Sequence, residues 1–258
     1  MGGISVHRFR YAPEAMERLA YDGGIPAKLK RSTALWFLVP WFLNAQLWAT
    51  LRLIRKIRPD VVHAHWLIPQ GLIAVLAKLL TPGRYRPRLL MTAHGADLFA
   101  FQGRLGRLLK RETLSEADHL CVVSREMINS AKKLGVPADA ISVAPMGTDL
   151  VEAFVPGHSA PEAPTLIFAG RLVEKKGVAD LLNAMPQVLS SIPGARLLIA
   201  GDGPLHQQLF NIASQLGIRS AVDFLGRKTP AEMPALYQSA HLAVLPFRIA
   251  ADGDQEGL

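Results

Sequence analysis

In the stretch Thr165-Leu166-Ile167-Phe168-Ala169-Gly170-Arg171-Leu172-Val173-Glu174-Lys175-Lys176-Gly177, an apolar strand runs into a glycine, an arginine and two lysines before a helix begins. Those residue types in that order can hold an anion. Glycine lets a ligand approach the backbone, a helix N-terminus near Gly177 offers free N–H groups, and Arg171 and Lys176 can close on phosphate oxygens from two sides. A diphosphate fits such a site. A solvated basic loop has the same composition, and the segment alone does not decide between the two. Nearer the end of the chain, the strand-like run His241-Leu242-Ala243-Val244-Leu245-Pro246 is followed by the polar loop Asp252-Gly253-Asp254-Gln255-Glu256-Gly257-Leu258. There Glu256 offers a carboxylate able to accept hydrogen bonds from two sugar hydroxyls at once, unless it is simply a frayed terminal residue.

Other reactive residue types are scattered upstream. His94 follows the apolar run Leu89-Leu90-Met91-Thr92, and Gly95 leaves room beside its ring; taken alone, a loop histidine is more often structural. His63 and His65 share one face of a strand, but no carboxylate or cysteine stands at metal-ligand spacing from them, so strand-end packing is expected and no metal site. Cys121, the single cysteine, lies in an apolar run and reads as a small buried hydrophobe. Lys175 reads as a solvated neighbour of Lys176, and Gly201-Asp202-Gly203-Pro204 as a strand-to-helix turn.

The elements that must position these residues alternate. Asp60–Ala64, Arg88–Thr92, His119–Val123 and Ile141–Val143 read as short strands separated by helical stretches, with Ser124 placed to N-cap a helix through Lys133 that Gly135 and Pro137 stop. A second series has strands at Leu166–Ala169, Arg196–Ala200, Val222–Leu225 and Leu242–Leu245; the capping box Thr229-Pro230-Ala231-Glu232 opens a helix to about Ser239. Between the two series, residues 154–164 are rich in proline and small residues and read as a linker. The expected fold is α/β, with two doubly wound Rossmann-like domains, 1–153 and 165–258, facing a cleft that holds ligands at the C-terminal ends of strands.

At 258 residues and half hydrophobic, the chain can bury a core in each domain. One cysteine excludes an internal disulfide and fits a reducing compartment; no secretory signal is readable, so a cytoplasmic location is expected, peripheral at the inner face of the membrane if it meets one. Residues 1–150 hold 21 Lys and Arg against 11 Asp and Glu, whereas residues 151–258 hold 8 against 10, so a basic face belongs to the first half. Nucleic acid is not the expected partner, because zinc-ligand spacing, RNA-recognition aromatics and long basic runs are all missing. Leu35 to Leu51 holds three of the four tryptophans and turns basic at Arg52, Arg55, Lys56 and Arg58. Pro40, Asn44 and Gln46 make it marginal as a membrane span; core packing with peripheral contact to an anionic membrane is the expectation.

The motifs together resemble the family 4 glycosyltransferases of the GT-B type. Their nucleotide-sugar domain carries Ala-Gly-Arg-Leu-x-x-x-Lys-Gly, then Gly-x-Gly-Pro, Phe-Leu-Gly and a Glu-Gly loop, matched in order by Ala169–Gly177, Gly201–Pro204, Phe224–Gly226 and Glu256-Gly257. Upstream the likeness continues through Val61–Trp66, Thr92–Asp97, Val123-Ser124 and Pro145–Asp149. The resemblance implies sugar transfer from a nucleotide-diphosphate donor to a glycan, lipid or small-molecule acceptor, with retention of configuration and no cofactor or metal. It gives Arg171 and Lys176 the diphosphate charge and Glu256 the donor sugar. Gly170 and Gly226 line the donor site, and His94 sits near the sugar's reacting end. It also implies that an opening strand-helix unit precedes Ile4–Arg10, itself read as a strand, and that a second glutamate follows the chain's end. A sugar-nucleotide epimerase or phosphorylase of similar architecture, or a nucleotide-binding or membrane-surface module without turnover, are the other readings open on sequence.

Overall fold

The computed structural model describes residues 3–20, 25, 28–29, 32–99, 101–157, 162–251 and 256. They form two units, one reaching Pro145 and the other running from Met146 to Glu256.

In the first unit four parallel strands stand side by side in chain order: β1 (Val61–His65), β2 (Arg88–Ala93), β3 (His119–Val122) and β4 (Ile141–Val143). Helix α1 (Leu38–Ile57) leads into β1 and α2 (Leu72–Leu79) joins it to β2. Helices α3 (Ala96–Phe99) and α4 (Arg104–Ser115) cross to β3, and α5 (Glu126–Lys133) crosses to β4. Because the strands step always to the same side, right-handed crossovers lay their helices on one face of the sheet, and β2 and β3 bury alternate residues against them. Leu89, Met91, Leu120 and Val122 are fully buried and cluster with Leu114 and Met127.

Two expectations fail here. Ile4–Arg10 forms no strand: it has no ladder partner, and Ile4 and Val6 stand exposed. The sheet therefore steps one way from β1 to β4, and no reversal of strand order lies within this unit's described residues. Ser124 does not cap α5 with its side chain. Its hydroxyl is buried without a hydrogen-bond partner, and its carbonyl accepts from the Met127 N–H at 3.3 Å instead.

Helix α1 packs inward through Phe42, Leu51 and Ile54 and ends where Arg58 turns left-handed (φ 51°) ahead of Pro59. Its outer face is bare: Phe37, just ahead of it, and Trp41 and Trp48 are 81%, 68% and 65% exposed, and Arg52 and Arg55 follow on the same face. Among the described residues, Thr33–Ile57 is the one stretch long and apolar enough to cross a membrane.

In the second unit β5 (Thr165–Ala169), β6 (Arg196–Ala200), β7 (Val222–Gly226) and β8 (Leu242–Ala243) are parallel in the order β7-β6-β5-β8. Helices α6 (Val178–Ser191), α7 (His206–Gln215) and α8 (Met233–Gln238) make the crossovers around Phe168, Leu172, Leu182, Met185, Leu197 and Ile199, all buried. The chain walks outward from β5 to β7 and then returns to the other side of β5. That reversal is a topological switch point, the place where α/β sheets take ligands.

The stretch read as a linker is docked in this unit, not free. Phe154 packs edge-on against Tyr237 with ring centroids 5.9 Å apart, Gln238 donates to the Val155 carbonyl at 3.0 Å, and the Pro164 carbonyl accepts from the Arg196 N–H at 2.8 Å. Residues 158–161 of that stretch lie outside the described residues. Only half of the capping box forms: the Thr229 N–H donates to the Glu232 carboxylate at 2.8 Å, but the Thr229 hydroxyl also donates to it, at 2.7 Å, instead of accepting from the Glu232 N–H; Pro230 to Glu232 make a turn and α8 begins only at Met233.

Candidate functional site

At the switch point of the second unit, the loops leaving β5 and β8 meet. Gly177, in the left-handed region (φ +67°), is touched by the chain itself: a Cβ added there would lie 1.7 Å from the Pro246 carbonyl oxygen. With no side chain at 177, residues 246–251 lie across the β5 loop. The Arg248 N–H donates to the Lys175 carbonyl at 3.0 Å, and the Ala251 N–H donates to the Glu174 carboxylate at 3.0 Å. Helix α6 then starts at Val178 with Gly177 as its cap.

Glu256 is not frayed. Its two carboxylate oxygens lie 3.2 Å from Lys175 Nζ and 3.2 Å from Lys176 Nζ, with all three side chains less than a fifth exposed. Lys175 is therefore a partner in the cluster and not the solvated neighbour the sequence reading made it. The Lys176 ammonium also stands 4.4 Å over the centre of the Phe247 ring, and its chain passes beside Gly170. Arg171 is exposed; its carbonyl accepts from the Val173 N–H at 3.0 Å, but its guanidinium makes no hydrogen bond or ion pair among the described residues. Below them, the ends of three neighbouring strands are tied together: the Gly170 N–H donates to the Ala200 carbonyl at 2.9 Å, and the Gly201 N–H to the Gly226 carbonyl at 2.8 Å. A side chain on Gly201 would meet the Gly170 carbonyl at 1.8 Å, so this floor stays bare. Two ammonium groups, one guanidinium free to swing and a bare glycine floor can receive an anion, and Glu256 sets the opposite charge beside it.

The first unit carries a separate group at the C-terminal ends of β1 and β2. Parallel register sets His65 opposite Thr92. The His63 ring nitrogen Nε2 is 2.7 Å from the Thr92 hydroxyl, and His65 Nδ1 is 2.9 Å from His94 Nε2. The rings follow one another, with centroids 4.3 Å apart for His63 and His65 and 5.1 Å for His65 and His94; Trp66 lies 5.6 Å from His94 on a backbone with φ 74°. Partial burial holds His63 and His94 below the ordinary histidine value. The neighbouring histidines add to this, while Asp97 opposes it at His94. Among the described residues, no three His, Cys, Asp or Glu side chains converge to hold a metal ion.

Asp97 fastens this group. Buried at 5% exposure, it accepts from the His94 N–H at 2.9 Å with one oxygen and from the Leu67 N–H at 2.9 Å with the other, so one carboxylate ties the loops after β1 and β2 together. Sequence reading placed Asp97 only inside a motif and took His63 and His65 for packing residues. A signal was present in the spacing, since an aspartate three residues after a loop residue is placed to accept that residue's N–H. The meeting of His65 with His94, 29 positions apart, depends on strand register, which the sequence does not display.

The model of Glycosyltransferase Family 4 matches residues 3–152, and that of Glycosyl transferases group 1 matches residues 152–257. The chain is 32% identical over 202 residues to a glycogen synthase of Mycobacterium tuberculosis, covering 74% of this chain and 47% of that protein. It is 28% identical over 222 residues to a GDP-mannose-dependent alpha-(1-6)-phosphatidylinositol monomannoside mannosyltransferase of the same species, covering 81% and 56%. The chain thus spans about half the length of the curated relatives it matches. Its fold is similar to that of Anabaena Alr3699/HepE, solved in complex with UDP-glucose, with a TM-score of 0.61 at 16% identity over 76% of this chain and 55% of that one.

Proposed function

Because the chain belongs to glycosyltransferase family 4, we propose that the protein it represents moves a sugar from a nucleotide-diphosphate donor to a glycan or lipid acceptor, with retention of anomeric configuration. Such transfer breaks the bond between the anomeric carbon and a phosphate oxygen and leaves negative charge on the diphosphate. In this reading Arg171 and Lys176 neutralise that charge in advance of the reaction, so no metal is called on. Gly170 and Gly226 let the donor approach the strand ends, Glu256 accepts from its sugar hydroxyls, and His94 orients the sugar at its reacting end. The observation that carries the reading is the convergence of Lys176 and Glu256 over bare glycine at the switch point, where α/β sheets take ligands. The proteins it is similar to support it: one is GDP-mannose-dependent, one was solved with UDP-glucose, and a glycogen synthase and a phosphatidylinositol monomannoside mannosyltransferase bracket glycan and lipid acceptors. A panel of nucleotide sugars offered to the intact enzyme should give transfer or slow donor hydrolysis with one of them, the anomer of the product matching the donor by NMR. Neither transfer nor hydrolysis with any member would sink the proposal.

The acceptor side of this reading includes an anionic membrane surface met by α1. Phe37, Trp41 and Trp48 supply rings of the kind that settle at headgroup depth, and Arg52 and Arg55 continue that face with charge for lipid phosphates, each worth about 1 kcal/mol near the surface. In flotation, the chain should rise with vesicles containing phosphatidylglycerol and stay down with pure phosphatidylcholine, while Arg52→Glu with Arg55→Glu should abolish the difference. Failure of the unaltered chain to float with either vesicle overturns the membrane contact and leaves the donor site untouched.

A further inference from the structure

The histidine group at the ends of β1 and β2 contains more than the one residue given a role above. His94 Nε2, one of only two nitrogens with which that ring can meet a substrate, is already 2.9 Å from His65 Nδ1. A contact of that length between two imidazole nitrogens holds one proton: one ring donates and the other must offer its lone pair. We propose that His65 is the positioning residue of His94, engaging Nε2 through this shared proton and leaving Nδ1 alone to face the sugar or its acceptor.

Three further observations place His65 in that role. His65 is fixed at its own end by ladder register, opposite Thr92 on the strand that leads to His94. The His94 backbone is pinned by Asp97, so the ring has little freedom but rotation about its side-chain bonds, and Trp66, stacked on its other side, limits that. His63 stands behind His65 and spends its own Nε2 on Thr92, so it does not compete for His94. Only the link between His65 and His94 passes from ring to ring, and it leaves His94 with Nδ1. The charged neighbours that bear on it are His63 on β1, Asp97 on α3, and, behind Asp97, Lys110 on α4. A charge on His65 opposes protonation of both His63 and His94. The hydrogen bond between His65 and His94 breaks when both rings are protonated, because neither then offers a lone pair.

This inference rests on the role proposed for His94, but its first test does not. Imidazole nitrogen NMR on the chain as it stands should show a coupling between His65 Nδ1 and His94 Nε2 across the hydrogen bond, one nitrogen with the shift of a donor and the other with that of an acceptor. In His65→Phe the coupling is lost and the His94 midpoint moves up. His65→Asn, whose amide nitrogen takes the place of Nδ1, keeps His94 in a single tautomer. Circular dichroism checks that both variants fold. Absence of the coupling, with His94 titrating identically in the unaltered chain and in His65→Phe, overturns the pairing. In the intact enzyme, His65→Phe should lower kcat about tenfold and shift the acid limb of its pH profile with the donor KM held, and His65→Asn should recover most of the rate. A pairing seen by NMR together with an unchanged kcat and profile in His65→Phe also overturns the positioning role. If instead His94→Ala leaves turnover intact, it is the reading of the reaction that fails, and the NMR result stands.

Discussion

Replacing Lys176 with alanine in the intact enzyme is expected to lower kcat about 10²–10³-fold, a loss of about 2.7–4 kcal/mol of transition-state stabilisation, the usual consequence of removing one prearranged contact to developing charge. Its ammonium is held by Glu256 on one side and by the Phe247 ring on the other, over the Gly170 turn, so it is oriented before a donor arrives. Fixed orientation is what makes such a charge worth more than a lysine in water. Glu256→Gln separates the two functions of the cluster. It removes the negative charge shared by Lys175 and Lys176, so a nucleoside diphosphate should bind at least as tightly by calorimetry, while discrimination between donor sugars falls. Arg171→Ala should resemble Lys176→Ala, its exposed guanidinium folding onto the phosphates only when they are present. If Lys176→Ala turns over donor at the unaltered rate and binds nucleoside diphosphate equally well, the assignment of this cluster to the leaving group is wrong.

The second unit was more legible in sequence than the first, for a physical reason. Its candidate site residues are consecutive or nearly so: Gly170, Arg171 and Lys176 leave one strand, and the glycines at 201 and 226 end its neighbours, so residue order already is spatial order. Only the return loop escaped. That residues 246–251 would lie on Gly177, and that Glu256 would sit between two lysines, depends on β8 pairing with β5 across more than seventy residues. In the first unit the informative contacts are between strands. Apolar runs announced the strands, most clearly β2 and β3, the two in the middle of the sheet. They did not announce register, and register is what brings His65 to His94. The run Ile4–Arg10 misled for the complementary reason: β propensity describes a residue's fit to a sheet, and a strand exists only where another strand accepts its hydrogen bonds.

Asp97→Ala is the change expected to cost the first unit most. Two backbone N–H groups, the buried one of Leu67 and the part-buried one of His94, lose a charged acceptor, and hydrogen bonds to charged groups are worth about 1.5–3 kcal/mol each, so a loss of about 3–6 kcal/mol follows. Lys110 adds a pH signature. Its side chain is 1% exposed, with the ammonium donating to the Leu98 carbonyl at 2.8 Å; burial pushes it below the ordinary lysine value, and Asp97 works against that push. Without Asp97 the folded state disfavours the charged form further while the unfolded chain keeps its protons. The unfolded chain then binds more protons than the folded one, so this part of the variant's stability recovers as pH rises towards the ordinary lysine range. All four tryptophans lie in the first unit, so their fluorescence during urea unfolding reports on that unit alone. The midpoint should fall sharply in Asp97→Ala and by less in Asp97→Asn, which keeps one acceptor oxygen. Coincident curves for Asp97→Ala and the unaltered chain would show that the carboxylate does not join the two loops, and the geometry assigned to His94 would lose its anchor.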